Sequence, residues 1–320
     1  VTRVAAVDCG TNSIRLLIAD VDGNGALSDV RRDMLVVRLG QGVDATGQFA
    51  DEAIERTRAA LAGYVEAMVA AGVERVRMVA TSATRDAGNR DEFFAMTAEL
   101  LGKVQQGAVA EVISGDEEAR LSFRGAVGGL DPADGPFVVT DLGGGSTEVV
   151  VGSVSRGQAV VAGAYSADIG CVRLTERALA SDPPTLDERA RAAAIAAEEL
   201  SKAFAAVDVG PARTWVGVAG TLTTFAALHA GLTEYDPEVI HHSRIPLAEL
   251  HVLCGRIVAM TREERLALGP MHPGRADVIG GGALVTRELA RQLADRAAIT
   301  EMVVSEHDIL DGIALGLAAR

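Results

Sequence analysis

Positive charge is what this chain is short of. Lys and Arg number 30 against 44 Asp and Glu, a formal net charge of −14 at pH 7. General nucleic-acid binding rests on neutralising phosphates with a basic surface, so DNA and RNA are excluded as partners. A phosphate-rich substrate then needs a local basic patch, backbone N–H groups and a cation inside an acidic body. Aromatics are also scarce, at 3% of residues, and no purine pocket is legible. No apolar run reaches the roughly 18 residues a membrane span requires. The N-terminus lacks the basic, apolar and small-residue regions of a signal peptide, so no membrane association is expected. Cys9, Cys171 and Cys254 are odd in number and have no metal-ligand spacing, which predicts free thiols in a reducing cytoplasm. The pair His241-His242 points to opposite sides of any regular element and reads as surface.

What is present is a repeated turn. An apolar strand ends in Asp8-Cys9-Gly10-Thr11-Asn12-Ser13, and a second ends in Asp141-Leu142-Gly143-Gly144-Gly145-Ser146-Thr147-Glu148. Each sets an acidic residue at a strand end before a Gly/Ser/Thr turn and then returns to apolar sequence. Such turns bring backbone N–H groups and hydroxyls close to an anion. A carboxylate beside them supplies the oxygen ligand that a Mg²⁺–phosphate complex takes. With 320 residues, 48% hydrophobic and 23% charged, the chain has room for roughly two domains. The repeat suggests two related lobes facing each other over one phosphate chain.

The coarse reading alternates hairpins with helices and strands, twice over. After the Asp8 turn, Asp22-Gly23-Asn24-Gly25 is expected to turn a hairpin into a third strand. Asp51 is expected to cap a helix to Ala71, which Gly72 ends. Val76–Ala80 and Val109–Ile113 read as strands around a helix at Arg90–Leu101. Ser114-Gly115-Asp116-Glu117 has capping-box spacing and opens a helix. The second half predicts the Asp141 hairpin, a helix at Leu186–Ala206, a strand at Trp215–Val218, helices near Leu247–Met260 and Arg275–Leu293, a strand at Glu301–Val304, and a last helix. This is an α/β fold with mixed sheets.

Six stretches, in order, carry a family resemblance: VDCGTNSIRLLI at 7–18, ATSATRDA at 80–87, VISGDEEARLSF at 112–123, DLGGGSTEVVVG at 141–152, GVAGTLTT at 217–224 and RADVIGGGALV at 275–285. The chain resembles the exopolyphosphatase/guanosine-pentaphosphate phosphohydrolase family of the actin-like superfamily, in its short actinobacterial form. It departs from the family at 304–312, where VSEHDILDG replaces a Gly-x-x-Arg-Glu-Gly-type segment. The resemblance implies two ribonuclease-H-like lobes, 1–127 and 128–305, with the last helix (306–320) packing back on the first and the active site in the cleft. It also implies a homodimer.

Terminal phosphoryl hydrolysis needs in-line positioning, charge neutralisation and a group that orients water. Glu118, in the family's Gly-x-Glu-Glu-Ala-Arg pattern, is the candidate for the last task; its bland reading is a solvated helix residue. Asp141 and Glu148, with Asp8, are the expected Mg²⁺ ligands, against a turn-capping alternative. Gly143, Gly144, Gly145 and Ser146 are expected to cradle phosphate, as are Asn12 and Ser13. Arg85 matches the family's phosphate-contacting arginine, against an ion pair with Asp86 or a neighbouring carboxylate. Arg120 reads equally as an intrahelical partner of Glu117, and Gly220-Thr221 as a helix N-terminus open to another anion or as a simple helix start. Arg275 and Asp277 match the family motif and are assigned no role beyond interlobe packing. The expected substrate is inorganic polyphosphate or guanosine pentaphosphate. An actin-like kinase or ATPase and a non-catalytic polyphosphate or alarmone sensor are the competing classes.

Overall fold

The computed structural model describes residues 1–22 and 26–318. The predicted turn at 22–25 therefore lies largely outside the described residues. The chain divides into two compact units, Val1–Gly125 with Ile309–Arg320, and Ala126–Asp308.

The first unit holds five strands: β1 (Thr2–Cys9), β2 (Ser13–Val21), β3 (Leu27–Val36), β4 (Arg75–Ala80) and β5 (Glu111–Val112), in the order β3-β2-β1-β4-β5. The second holds β6 (Phe137–Leu142), β7 (Thr147–Ser155), β8 (Gln158–Ala167), β9 (Thr214–Val218), β10 (Arg244–Pro246) and β11 (Glu301–Val304), in the order β10-β11-β9-β6-β7-β8. Each sheet therefore has the same centre. One strand pairs antiparallel with the next in sequence, which pairs antiparallel with a third, while a later strand lies parallel on its other side.

Period-two alternation explains how the first sheet is covered on both faces. Ala5, Val7 and Cys9 join a core with residues of the helices Asp51–Ala71 and Arg90–Leu101. Val4 and Ala6, with Leu17 and Ala19, join a second core with Ile309, Leu310, Ile313, Ala314 and Leu317 of the helix Ile309–Ala318. That helix is also tied by Asp311, which accepts from both terminal nitrogens of Arg32 at 2.7 and 3.2 Å. In the second sheet, Val138, Leu142, Val149 and Val151 face a core built with the helices Leu186–Ala206, Gly220–His229, Leu247–Ala259 and Ile279–Ala297. The single Trp, fully buried on β9, donates from Nε1 to the Thr140 hydroxyl at 2.8 Å.

Several local expectations change. Asp51 is the first helical residue and Ala50 the cap, so Asp51 acts on the helix dipole and caps nothing. The strand expected at Val109–Ile113 shrinks to Glu111–Val112. The helix expected from Arg275 begins at Ile279, because Arg275 to Val278 form a turn in which the Arg275 carbonyl accepts from Val278 and Ile279. The strand Gln158–Ala167 and the helix Cys171–Ala178 had no counterpart in the sequence reading.

Candidate functional site

The two turns share one internal design. In the first, Gly10 N–H donates to the Ser13 carbonyl at 3.0 Å; in the second, Gly143 N–H donates to the Ser146 carbonyl at 3.0 Å. Asp8 lies directly across the ladder from Arg15, and Asp141 directly across from Glu148. Asp8 to Asp141 and Arg15 to Glu148 are the same step along the chain. One register position thus carries opposite charges in the two copies, and that difference separates their chemistry.

In the first unit the pair is self-neutralising. Arg15 donates to Asp8 Oδ2 from Nη2 at 2.7 Å and from Nε at 3.1 Å, and Asp8 is 6% exposed. In the second unit, Asp141 and Glu148 are two buried carboxylates at opposed positions of adjacent strands, 7% and 0% exposed. Opposed like charges destabilise a ladder, and burial makes their charge harder to bear. Glu148 Oε1 accepts from the Ser166 hydroxyl at 2.6 Å. Hard carboxylate oxygens held side by side are the donor set that Mg²⁺ prefers, so these two residues fit that ion. Among the described residues no group of three or more His, Cys, Asp or Glu gathers as a ready metal cluster.

The helix Cys171–Ala178 explains the shape of the glycine turn. Cys171 N–H donates to the Gly143 carbonyl at 3.0 Å, and Val172 and Arg173 N–H both donate to the Gly144 carbonyl at 2.9 and 3.0 Å. Arg173 Nε donates to the Gly145 carbonyl at 2.7 Å. A trans peptide holds its N–H opposite its C=O. Three consecutive carbonyls facing this helix therefore turn the N–H groups of Gly144, Gly145 and Ser146 away from it, the arrangement of an anion-binding nest. Close approach demands Gly170: a Cβ there would lie 2.6 Å from the Gly143 carbonyl oxygen and closer still to Gly144.

At the first unit's sheet, the carboxyl ends of parallel β1, β4 and β5 bring the other predicted residues to one edge. The Asn12 carbonyl accepts from Val37 and Arg38 N–H at 3.0 and 2.8 Å, closing the segment after β3 onto the turn that carries Asn12 and Ser13. Arg85, in the short helix Ser82–Asp86, donates from Nη1 to Glu118 Oε2 at 2.7 Å and to the Ile113 carbonyl at 3.1 Å. The ion-pair alternative for Arg85 is thus present, with Glu118 as the carboxylate it meets. Glu118 is only 8% exposed, which removes the reading of it as a solvated helix residue. Its helix, Gly115–Val127, opens with half of the expected capping box. Ser114 Oγ accepts from Glu117 N–H at 3.2 Å, while the Glu117 side chain pairs with Arg77 at 2.7 Å. Arg120 pairs with Asp116 at 2.8 Å in place of Glu117.

Three other candidates lie in the second unit. Arg275 lies against Gly220 and donates from Nη1 to the Thr224 hydroxyl at 2.7 Å, within the second unit. The helix start at Gly220 follows Ala219 at φ 73° and ψ 168°, an extended conformation of positive φ that is rare for any residue but glycine. His241 and His242 do not diverge: their rings stack with centroids 3.7 Å apart, and His307 lies 4.5 Å from His241. The reason is that His242 itself is left-handed, at φ 63°, so no regular element separates the two. Arg15, Ser166 and Arg173 were missed. Arg15 was findable by laying the two turns over each other; nothing in the sequence marked the other two.

The sequence matches the Ppx/GppA phosphatase family over residues 17–316. It is 62% identical over 320 residues to Exopolyphosphatase 2 of Mycobacterium tuberculosis, covering 99% of each chain. Among solved structures, an exopolyphosphatase-like protein superposes with a TM-score of 0.93 at 43% identity, covering 100% of this chain and 98% of that one. The Ppx/GppA family member of Aquifex aeolicus superposes with a TM-score of 0.78 at 32% identity, covering 99% and 98%.

Proposed function

This chain belongs to the Ppx/GppA phosphatase family, and from that premise we propose that it is a Mg²⁺-dependent exopolyphosphatase releasing orthophosphate stepwise from the end of inorganic polyphosphate. The observation that carries the reading is the buried Asp141–Glu148 pair beside a glycine turn whose amides face away from their supporting helix. That arrangement suits a cation and a phosphoryl group together. The name of the mycobacterial relative supports polyphosphate as substrate.

Asp141 and Glu148, with Asp8, would hold the metal, directly or through water. Bound there, Mg²⁺ supplies charge neutralisation on the phosphoryl oxygens. The amides of Gly144, Gly145 and Ser146 donate to the phosphate chain, as do Asn12 and Ser13. Glu118 orients a water for in-line attack on the terminal phosphorus. The new P–O bond comes from that water, the bridging P–O bond breaks, and the leaving oxygen stays with the shortened chain. Arg85 holds the Glu118 carboxylate in place and brings a positive charge to the phosphoryl group. The three free, buried cysteines support a cytoplasmic location. Among the described residues no helix is long and apolar enough to cross a membrane. Assembly as a homodimer is part of the proposal.

The test is phosphate release from long polyphosphate, short polyphosphate, guanosine pentaphosphate and ATP, with Mg²⁺ and with EDTA, comparing wild type with Glu118→Gln. Release from polyphosphate that collapses in the variant and in EDTA supports the reading. Release confined to guanosine pentaphosphate replaces the substrate. Undiminished release by Glu118→Gln rejects that residue's role.

A further inference from the structure

Four hydrogen bonds turn the carbonyls of Gly143, Gly144 and Gly145 toward the helix Cys171–Ala178. Three of them come from backbone N–H groups, which the helix start fixes. The fourth, to Gly145, comes from the guanidinium of Arg173 and is the only one made by a charged donor. A charged donor on a peptide oxygen makes a stronger hydrogen bond than a neutral one. It also polarises the peptide, strengthening the N–H at its other end. Here that N–H belongs to Ser146, the last of the three amides in the nest and 2% exposed. Arg173 is itself anchored: its backbone N–H donates to Gly144 while its side chain reaches the next residue of the same turn. The backbone and side chain of one residue thus hold consecutive peptides of the turn.

Resting on the function read above, we propose that Arg173 is the positioning residue of this phosphate-binding turn. It locks the Gly145–Ser146 peptide with its N–H toward the phosphate and raises that N–H as a donor. In a chain of net charge −14, it also brings a fixed positive charge to the turn that receives a polyanion. Arg173 acts through the peptide and needs no contact with the reacting atoms. The helix dipole alone does not replace it, because the three backbone donors stop at Gly144.

The experiment compares wild type, Arg173→Ala and Arg173→Lys. Two readouts are used: phosphate release from polyphosphate with Mg²⁺, and the backbone amide resonances of Gly145 and Ser146 with and without tripolyphosphate. Losing one charged hydrogen bond that organises a transition-state donor lowers kcat/KM on the order of 10- to 100-fold in Arg173→Ala. Arg173→Lys is expected to recover part of the loss, and millimolar guanidinium ion to restore Arg173→Ala toward wild type, which a packing defect would not allow. The Ser146 amide is expected to move upfield in Arg173→Ala and to lose its response to tripolyphosphate. Activity within threefold of wild type in both variants, or unchanged Gly145 and Ser146 resonances in Arg173→Ala, overturns the proposal. If wild type releases no phosphate from any polyphosphate, the functional reading falls instead, and the two amide resonances still decide the role of Arg173.

Discussion

Replacing Gly170 by Ala perturbs the phosphate turn from behind, without altering any residue predicted to touch substrate. The backbone at Gly170 is extended (φ −149°, ψ 177°), so alanine has no conformational objection to the site. The obstacle is steric. A Cβ would sit 2.6 Å from the Gly143 carbonyl oxygen, where ordinary contact begins at 3.4 Å, and closer still to the Gly144 carbonyl. The neighbouring atoms are backbone, so no side chain can swing aside. Either the helix Cys171–Ala178 backs away or the glycine turn moves forward, and both loosen the bonds that aim the amides. Overpacking of this kind costs about 1–3 kcal/mol, and displacement of a binding group by about 1 Å costs on the order of 10²-fold in rate. The assay is phosphate release beside a thermal melt, with Gly63→Ala as control. Gly63 lies in the helix Asp51–Ala71 with nothing within 4 Å of a new Cβ, so alanine there is expected to stabilise by about 0.5–1 kcal/mol. Gly170→Ala with wild-type kcat/KM and an unchanged melt would refute the claim that this close approach shapes the turn.

Arg85→Gln and Glu118→Gln are each expected to destabilise by about 1–3 kcal/mol, since each strands one side of a mostly buried pair, whose side chains are 22% and 10% exposed. The double variant should recover part of that stability in urea melts while remaining inactive; strictly additive losses would deny the coupling. The Cys171 thiol is pushed up to about 11 by burial, against smaller opposing effects of Arg275 and Thr221. Iodoacetamide at pH 8 is therefore expected to label it far more slowly in the native protein than in urea, read by mass spectrometry. Burial first, then His307 and Arg244, hold His242 below its ordinary value of 6.5. The unfolded chain then takes up that proton first, so stability is full above about 6.5 and falls as pH drops. His242→Asn, compatible with the left-handed backbone, should flatten the melting temperature between pH 7 and 5; an unchanged slope would place the acid sensitivity elsewhere.

The fold class was legible because short apolar runs bounded by turns and the repeated Asp–Gly–Ser turn are local signals. Strands β1, β6 and β11 and the helix Leu186–Ala206 need no tertiary information to be seen. The pairings were not legible. Arg85 meets Glu118 across 33 positions, and the sequence offered Asp86 as the nearer partner. The supporting helix Cys171–Ala178 went unread because its identity depends on what it docks against, a turn 28 positions earlier. Its capping partners are the carbonyls of that turn rather than an adjacent Ser, Thr or Asp. A histidine pair was read as divergent because alternation presumes a regular backbone, which the left-handed His242 lacks.

The helix Ile309–Ala318 belongs to the same unit as Val1, with the whole of Ala126–Asp308 translated in between. At about 5–20 residues per second, a ribosome needs on the order of ten to forty seconds to make that intervening stretch. Throughout it, Val4, Ala6, Leu17 and Ala19 lack the apolar partners that later cover them, and Arg32 waits for Asp311. The unit begun first is therefore the unit finished last. During synthesis the nascent chain exposes one uncovered face of a sheet whose five strands are already made, a natural target for chaperones, until the helix Ile309–Ala318 is added.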